Sequence, residues 1–490
     1  MHKEIGLKIP EPDNIRPYDQ GQSMLFPPNL QDFIQDNDLC RVVDDVVNTL
    51  DLSCLYRSVA SEGNPSYHPG MMLKVLFYAY ASGIFSSRRI AKALGENVAF
   101  IFLAAWQRPN FRTINSFRKN NFKAIRDLFC QIICLCQELK MVKLGHISID
   151  GSKFKANAAE RRSYDQKRID KEIKSILLKA EKTDREEDAL YGPNNTGDEL
   201  PDEIRNRKKR LERLKQIQKE LTARGKEKIN ATDPDAVFMK TKSGIKTSYN
   251  VQACVDEDSQ VIIAANVSNQ PNDDEQLIPM LDQAERNTGG DIGIVTADAG
   301  YGNATNLEAL QSYKVDAYIP DDTYQSRRRG KPVGPFDKDN FIYNPTDDVF
   351  ICPQGNVLTF WHTKREKRGD YRVYRYAKCT ECPHFGHCTK SKRGRSIWRR
   401  QVDGKVRAMR KKLDTEAGKQ IYAKRKYIIE PVFGQIKGAM GFTGFHLRGL
   451  SKVNLEFMLI SIAHNLRKMT RHCYQKGVGL VPKTAAKATT

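Results

Sequence analysis

The sequence predicts an α/β protein in which an all-helical N-terminal region precedes a core built on a mixed sheet. Apolar residues recur at helical spacing from about Leu30 to Lys143, and from Leu144 they change to the alternation of a strand. Strand and helix patterns then follow in the order β-β-β-α-β-α-β up to about residue 320, which is typical of an α/β domain.

The helical region contains amphipathic stretches such as VVDDVVNTL, MMLKVLFYAYASGIF and FKAIRDLFCQIICLCQEL. Its segments SSRRIAKAL and NFRTINSFRKNN are compatible with a helix-turn-helix element, although an ordinary helical bundle is the stronger interpretation. The next segment, GHISIDGSKFKAN, predicts a strand that ends at Asp150. Residues 160–228 are densely charged with heptad-like apolar positions, and the break at YGPNNTGDELPD predicts a protruding helical hairpin.

Further strands are predicted at KTSYNVQACVD, QVIIAANVSN and IGIVTADAG, with Asp298 at the carboxyl end of the last. An irregular segment rich in Tyr and Arg is expected from about Asp321 to Lys412. Helical patterning returns with AGKQIYAKRKYIIEPVFGQIKGAM and VNLEFMLISIAHNLRKM. Residues 1–30 and the last residues of the chain predict irregular ends.

The 490 residues carry a formal net charge of +21, and its distribution is uneven. Between Asp321 and Thr490 there are 36 Lys and Arg against 14 Asp and Glu, so the whole positive excess lies there. Such a surplus attracts polyanions, and nucleic acid is favoured over a merely solvated face. No apolar run is long enough to cross a bilayer and no export signal is evident, so a cytoplasmic protein without a membrane partner is expected.

Three carboxylates are the candidate catalytic residues. Asp150 and Asp298 follow apolar strands, where acidic residues are rare, although a single such Asp is more often a turn or cap residue. Glu430 precedes Pro431, which predicts that a helix begins or kinks there; a helix N-terminal carboxylate is the alternative. Three convergent carboxylates would suit two Mg²⁺ or Mn²⁺ ions, which can clamp the oxygens of an in-line phosphoryl displacement.

Several segments resemble the DDE transposases of bacterial insertion sequences: SIDGSKFKANA, YNVQACVD, QPNDDEQLIPML, VTADAGYGN and KRKYIIEPVFGQIKGAMGFTGFHLRGL. The resemblance implies an RNase H-like core, a metal-binding triad of Asp150, Asp298 and Glu430, and double-stranded DNA as the partner, at the element's ends and at the target. It also assigns DNA contacts to Tyr422, Arg425 and Lys437. Four residues rather than the usual three separate Arg425 from Glu430, so Lys426 is an alternative for the arginine position.

The resemblance implies a division of the chain and an assembly. The expected units are a helical DNA-binding and dimerisation domain (1–143), the first part of the core (144–320, with a charged helical insertion at 160–230), a basic β-rich insertion bearing cysteines (321–412), the C-terminal helices of the core (413–470) and a flexible tail (471–490). A homodimer or higher oligomer on DNA and a location at the bacterial nucleoid are expected. A non-catalytic regulator derived from a transposase and a metal-dependent nuclease are the alternative functions.

Eleven cysteines argue against a complete secreted disulfide framework, because the number is odd. Four of them form the pattern CP…CxxCPxxxxxC: Cys352, Cys379, Cys382 and Cys388. A structural Zn²⁺ is favoured over free thiols for this four-cysteine cluster, with His362, His384 and His387 as substitute ligands. The basic stretch that follows, TKSKRGRSIWRRQVDGKVRAMRKK, is the leading candidate for backbone contacts through Arg399 and Arg400, and Arg448 is a further candidate.

Overall fold

The computed structural model describes residues 29–57, 66–191, 202–241, 243–321, 323–324, 328, 334–366, 369–400 and 403–477. Within these ranges the chain is a mixed α/β protein with a mixed sheet. Most of the predicted irregular start, the break between the two charged helices and the end of the predicted tail lie outside the described residues.

The described residues before the first strand are helical. They form α1 (Leu39–Thr49), α2 (Ser53–Tyr56), α3 (Pro69–Ala81), α4 (Ser87–Glu96), α5 (Val98–Leu103), α6 (Phe111–Asn120) and α7 (Phe122–Glu138). Local sequence fixes several helix starts, since the Asn97 side chain accepts N–H bonds at the start of α5 and Asn110 does the same for α6. Helices α4 and α6 pack against each other and present basic side chains.

The main sheet combines antiparallel and parallel pairs in the order β4-β5-β1-β7-β8, with β6 also pairing with β5. Its strands are β1 (His146–Lys155), β4 (Val237–Thr241), β5 (Gly244–Asp256), β6 (Ile262–Ser268), β7 (Ile294–Ala297) and β8 (Asp316–Tyr318). Helices α10 (Leu277–Thr288) and α11 (Ala304–Ala309) connect the later strands. Strand β1 pairs antiparallel with β5 and parallel with β7, which puts it at the centre of the sheet.

The charged stretch between β1 and β4 forms two long helices that pack on each other, α8 (Gln166–Tyr191) and α9 (Asp202–Ala223). Ile169 of α8 meets Ile217 and Leu221 of α9 in a small apolar cluster of its own. The short strands β2 (Ser163–Asp165) and β3 (Lys228–Asn230) pair at the base of these helices. Burial of these apolar positions accounts for the heptad-like spacing in the sequence.

The segment 321–412, for which both an irregular pattern and a β-rich insertion are expected from the sequence, contains regular strands among its described residues. Strands β9 (Ile342–Asn344), β10 (Val349–Ile351), β11 (Val357–Glu366), β12 (Gly369–Arg375) and β13 (Ser396–Arg399) form an antiparallel sheet. Helices α12 (Asp403–Asp414) and α13 (Glu416–Ala423) follow it. The strand pattern is hard to see in sequence because arginines and lysines stack on aromatic rings across this sheet, as Arg375 does on Trp361.

The chain continues into α14 (Arg425–Ile428), α15 (Glu430–Gly434), a π-helical turn (Gln435–Ala439) and α16 (Leu450–Lys476). Helix α16 packs on β6, α3 and α7, so its side chains bring the N-terminal helices and the sheet into one hydrophobic core. Buried Asn465 binds both backbone groups of Ile262, and Arg467 donates to the Ala81 carbonyl oxygen at 2.8 Å. The N-terminal helices are therefore fixed relative to the sheet.

Candidate active site and nucleic-acid contacts

Asp150 and Asp298 lie side by side because β1 and β7 run parallel. The pairing of these strands ends at Ile149 and Ala297, so each Asp is the next residue beyond the last pair. Asp298 directly follows its strand, as expected, and its Oδ1 accepts the Gly300 N–H at 2.8 Å. Asp150 does not end its strand, because β1 continues to Lys155 along β5. The expected strand end was therefore wrong, although β7 stops beside Asp150.

A fourth carboxylate, Asp273, lies at the same place. Its Oδ1 accepts bonds from Asn250 Nδ2 at 2.7 Å and from Gln252 Nε2 at 2.6 Å. A Cβ built on Gly300 would lie 3.0 Å from Asp298 Oδ1 and 3.5 Å from Asp273 Oδ2, so both carboxylates border this glycine. Sequence reasoning gave Asp273 no role. Asn250 and Gln252 lie fully buried on strand β5.

Glu430 reaches the site at an interruption of the helix. Pro431 has no N–H to donate to the Tyr427 carbonyl oxygen, which instead accepts a bond from Gln260 Nε2 at 2.6 Å. Helix α15 begins at Glu430, as the proline predicted. The Glu430 side chain is half exposed, whereas the Asp150 side chain is only 15% exposed.

Arg425 connects two of the carboxylates. Its Nη1 lies 3.5 Å from Asp150 Oδ2 and 3.5 Å from Glu430 Oε1, so those two oxygens cannot be further apart than twice that distance. The exposed Lys426 makes neither contact. The extra residue before Glu430 does not turn Arg425 away, since its guanidinium still reaches Glu430 Oε1 across the break between the short helices at Ile429.

The other two signature residues have different surroundings. Tyr422 is half-buried against Tyr324, with ring centroids 5.2 Å apart, and burial raises the pKa of its hydroxyl. Lys437 donates to Ser152 Oγ at 2.7 Å, two residues beyond Asp150 on β1. Its Nζ also lies 4.4 Å from the Phe154 ring centroid. Lys437 thus holds a positive charge over the strand that carries Asp150.

Burial dominates the electrostatics of the two aspartates. It raises the pKa of Asp150 from 3.8 to about 7, with the Arg425 charge acting in the opposite direction and Asp298 adding to the rise. Burial also raises the pKa of Asp298, again opposed by Arg425. Charged carboxylates are costly here unless a cation accompanies them. The donor set is made of hard oxygen ligands, the type that Mg²⁺ and Mn²⁺ prefer, and Arg425 already lies as a cation between two of them.

Across the described ranges, no three His, Cys, Asp or Glu side chains are arranged as a ready metal site. The four-cysteine cluster nevertheless surrounds one small cavity beside His384 and Phe385. The Arg395 N–H donates to Cys379 Sγ at 3.2 Å, and Gly394, at φ +84°, brings the backbone close to that sulfur. Burial raises the pKa of Cys388, and the other three thiols of the cluster act in the same direction. His362 lies on β11 and has no place in this cavity lining.

Arg399 and Arg400 are half-buried, not part of an extended basic arm. Their guanidinium carbons lie 3.8 Å from the Tyr343 ring centroid and 5.2 Å from that of Tyr371, respectively. Other basic residues of the same stretch form ion pairs: Arg410 with Asp321 and Asp339, Lys412 with Asp316, and Lys405 with Glu308. Arg448 instead donates from Nε to the Asn157 carbonyl oxygen at 2.9 Å.

Two family models match the chain. Residues 351–470 match a transposase DDE domain, and residues 28–120 match a transposase domain. The first match includes Arg425, Glu430, Lys437 and the four-cysteine cluster. It begins after β1 and β7, so it does not include these two strands. No curated protein matches the chain. Among the described residues, no helix combines the length and the apolar composition needed to cross a membrane.

Proposed function

We infer that this protein cuts DNA strands at the ends of an insertion sequence and joins them to target DNA. The family matches identify the chain as a DDE transposase of such an element. The observation that carries this proposal is that Asp298 lies beside Asp150 at the end of the parallel strand pair, while Arg425 joins Asp150 to Glu430. Two of the three share the Arg425 guanidinium. Burial that disfavours charged aspartates also argues for a cation at the same place.

We propose that Asp150, Asp298 and Glu430 hold two Mg²⁺ or Mn²⁺ ions. When bound, such ions activate the attacking oxygen and stabilise the departing one in an in-line displacement. The half-exposed Glu430 borders solvent, so DNA can approach from its side. Asp273, fixed by Asn250 and Gln252, places a further carboxylate beside Asp298 at Gly300.

The basic side chains around the triad are proposed to position the phosphates. Arg425 neutralises Asp150 and Glu430 in the free protein, and Lys437 keeps a positive charge over β1. Lys153 Nζ lies 3.9 Å from Asp273 Oδ1 on the other side of the strand. These cations would offset the charge that develops on the scissile phosphate. We further propose that Tyr422 supports Arg425 from its half-buried position.

We propose that the main sheet and its flanking helices form an RNase H-like core. The support is a central β1 that pairs antiparallel with β5 and parallel with β7, with the acidic residues gathered at one edge of that parallel pair. The helical region 1–143 and the segment 321–412 are proposed as the DNA-binding and cysteine-bearing parts. Joining two DNA ends needs two active sites, so at least a dimer is expected on DNA.

A structural Zn²⁺ is proposed at the four-cysteine cluster. Four thiols on one cavity supply the donor set of a closed zinc site, and the Arg395 N–H already donates to one of these sulfurs, Cys379 Sγ. The cysteines would turn inward to reach the ion. Zinc would tie the loop of Cys352, at the end of β10, to the loop before β13.

The decisive experiment uses DNA that carries the element's ends, with and without Mg²⁺. We expect cleavage at defined ends and joining to a second DNA, both dependent on the metal ion. A regulator would bind without cutting, and a nuclease would cut without joining. Cleavage that survives in the Glu430→Gln variant would remove Glu430 from the triad.

A further inference from the structure

A cleft rich in basic residues lies between the N-terminal helices and the loop that follows the Glu430 helix. Its larger part encloses about 680 Å³ and its walls carry Arg89, Lys155, Arg161, Arg162 and Arg448. An adjoining part of about 560 Å³ adds Arg88, Lys119 and Lys452. The two parts share Phe85, Asn157, His446 and Arg448, so they form one continuous surface, which we name the basic cleft.

The positive charge of the basic cleft is not neutralised within the described structure. Neither part of its lining contains an Asp or a Glu. None of the eight lysines and arginines named above forms an ion pair with another described residue. In the basic stretch favoured by the sequence, by contrast, three of the cations are ion-paired: Lys405, Arg410 and Lys412. Uncompensated cations grouped on one concave surface favour a polyanion.

The walls of the basic cleft are held in place from inside the protein. Buried Glu456 accepts the N–H groups of His446 and Leu447, each at 2.9 Å, which fixes the loop on one side. On the other side, buried Arg118 of α6 donates to the Phe85 carbonyl oxygen at 3.0 Å and to the Tyr80 hydroxyl at 2.8 Å. A pre-formed surface loses little conformational entropy when it binds a ligand.

The basic cleft is continuous with the candidate active site. Strand β1 carries Asp150 and ends at Lys155 in the cleft wall, a separation of five residues or about 16 Å of extended chain. The opposite wall, Gly441 to Arg448, follows the helical segment that holds Glu430 and Lys437. A duplex rises 3.4 Å per base pair, so this separation spans about five base pairs.

We propose that the basic cleft binds the phosphate backbone of duplex DNA about five base pairs from the cleaved phosphate. This inference rests on the proposed function for the position of the cleavage point, but not for the binding itself. Eight cations spread over two adjoining parts exceed what a single phosphate or nucleotide needs. The N-terminal helices then clamp the DNA together with the core.

The test compares a cleft variant with a matched control. The cleft variant carries Arg89→Ala, Arg161→Ala and Arg162→Ala, all at exposed positions. The control carries three exposed substitutions on neighbouring helices outside the cleft lining: Lys92→Ala, Lys123→Ala and Arg126→Ala. Both variants lose three positive charges, so a difference in their DNA binding reflects the position of those charges and not the net charge.

Binding is measured without divalent metal on a duplex carrying one element end and on a duplex of unrelated sequence, over a series of salt concentrations. The cleft variant should bind both duplexes at least tenfold more weakly at low salt. Its log–log salt slope should be shallower by up to about 2.7, from about 0.9 per phosphate contact. The control should keep the wild-type slope. Thermal melting verifies that each variant folds, and the single Arg161→Ala variant serves if the triple does not.

The outcomes separate the two proposals. A cleft variant with the wild-type salt slope overturns the cleft assignment, even if the wild-type protein cuts and joins DNA. If the cleft variant binds DNA more weakly, the cleft assignment is supported. If the wild type does not cleave DNA in Mg²⁺, the proposed function is refuted, whatever the cleft variant does. Hydroxyl-radical protection about five base pairs from the cleavage point should disappear in the cleft variant alone.

Discussion

Replacing Asp150 by Asn should stabilise the metal-free protein at alkaline pH while it abolishes catalysis. Burial raises the pKa of Asp150 from 3.8 to about 7, so the folded protein binds this proton more tightly than the unfolded chain does. Stability from the protonated form is therefore present below about pH 4 and is lost as the pH rises towards 7. This shift in the pKa of Asp150 corresponds to about 4 kcal/mol of unfolding free energy. Solvent screens it little, because the Asp150 side chain is only 15% exposed.

The assay is urea unfolding in a chelator, from pH 5 to pH 8.5, for the wild type and Asp150→Asn. The difference between the two free energies of unfolding should grow from about 1.6 kcal/mol at pH 5 to about 4 kcal/mol above pH 8, with the variant more stable. Adding Mg²⁺ at pH 8.5 should stabilise the wild type and leave the variant nearly unchanged. Parallel pH profiles for the two proteins in the chelator would refute the reasoning, since the buried carboxylate would then cost nothing.

Three further predictions concern the site and the cysteines. Asp298→Asn and Glu430→Gln should each abolish cleavage and joining but keep DNA binding within about twofold, measured on the same duplex, because neither residue lines the basic cleft. Gly151→Ala would place a Cβ 2.5 Å from Asp273 Oδ1, so it should lower the free energy of unfolding by about 1–3 kcal/mol and remove most of the activity. A Cβ at Gly145 meets nothing within 4 Å, so Gly145→Ala should change neither stability nor activity. The purified protein should contain about one zinc ion per chain by elemental analysis, and serine replacement of the four-cysteine cluster should remove it. A wild-type protein that is as stable without metal as the protein as purified would contradict the zinc proposal.

The sequence was sufficient to choose Asp150 and Asp298, because each interrupts an apolar strand pattern. Their adjacency follows once β1 and β7 pair in parallel. The same reasoning could not find Asp273, which lies in the loop before α10 and looks like an ordinary polar turn residue. Its importance depends on Asn250 and Gln252 of another strand, and a contact of that kind has no local signature.

The spacing between Arg425 and Glu430 illustrates why a single helix is a poor assumption near proline. On a regular helix one extra residue rotates a side chain by about 100°, which made Lys426 an alternative for the arginine position. The short helices are instead separated at Lys424 and Ile429, and the carbonyl freed by Pro431 is satisfied by Gln260 from the loop between β5 and β6. That compensating bond comes from a residue far away in the sequence, so the register of Arg425 could not be derived locally.

Charge counting along the sequence located the positive surplus correctly but not the surface that exposes it. The basic stretch of the last third folds so that Arg410 and Lys412 face carboxylates and Arg399 stacks on a tyrosine. The first 320 residues are nearly neutral in sum, yet folding separates their charges and leaves Arg89 and Arg161 in a cleft without acids. Because ion pairing removes most of a charge's field beyond a few ångströms, the net charge of a segment does not determine where a polyanion binds. Counterion release depends on the cations that remain unpaired, so the salt dependence of DNA binding should fall when the cations of the basic cleft are removed.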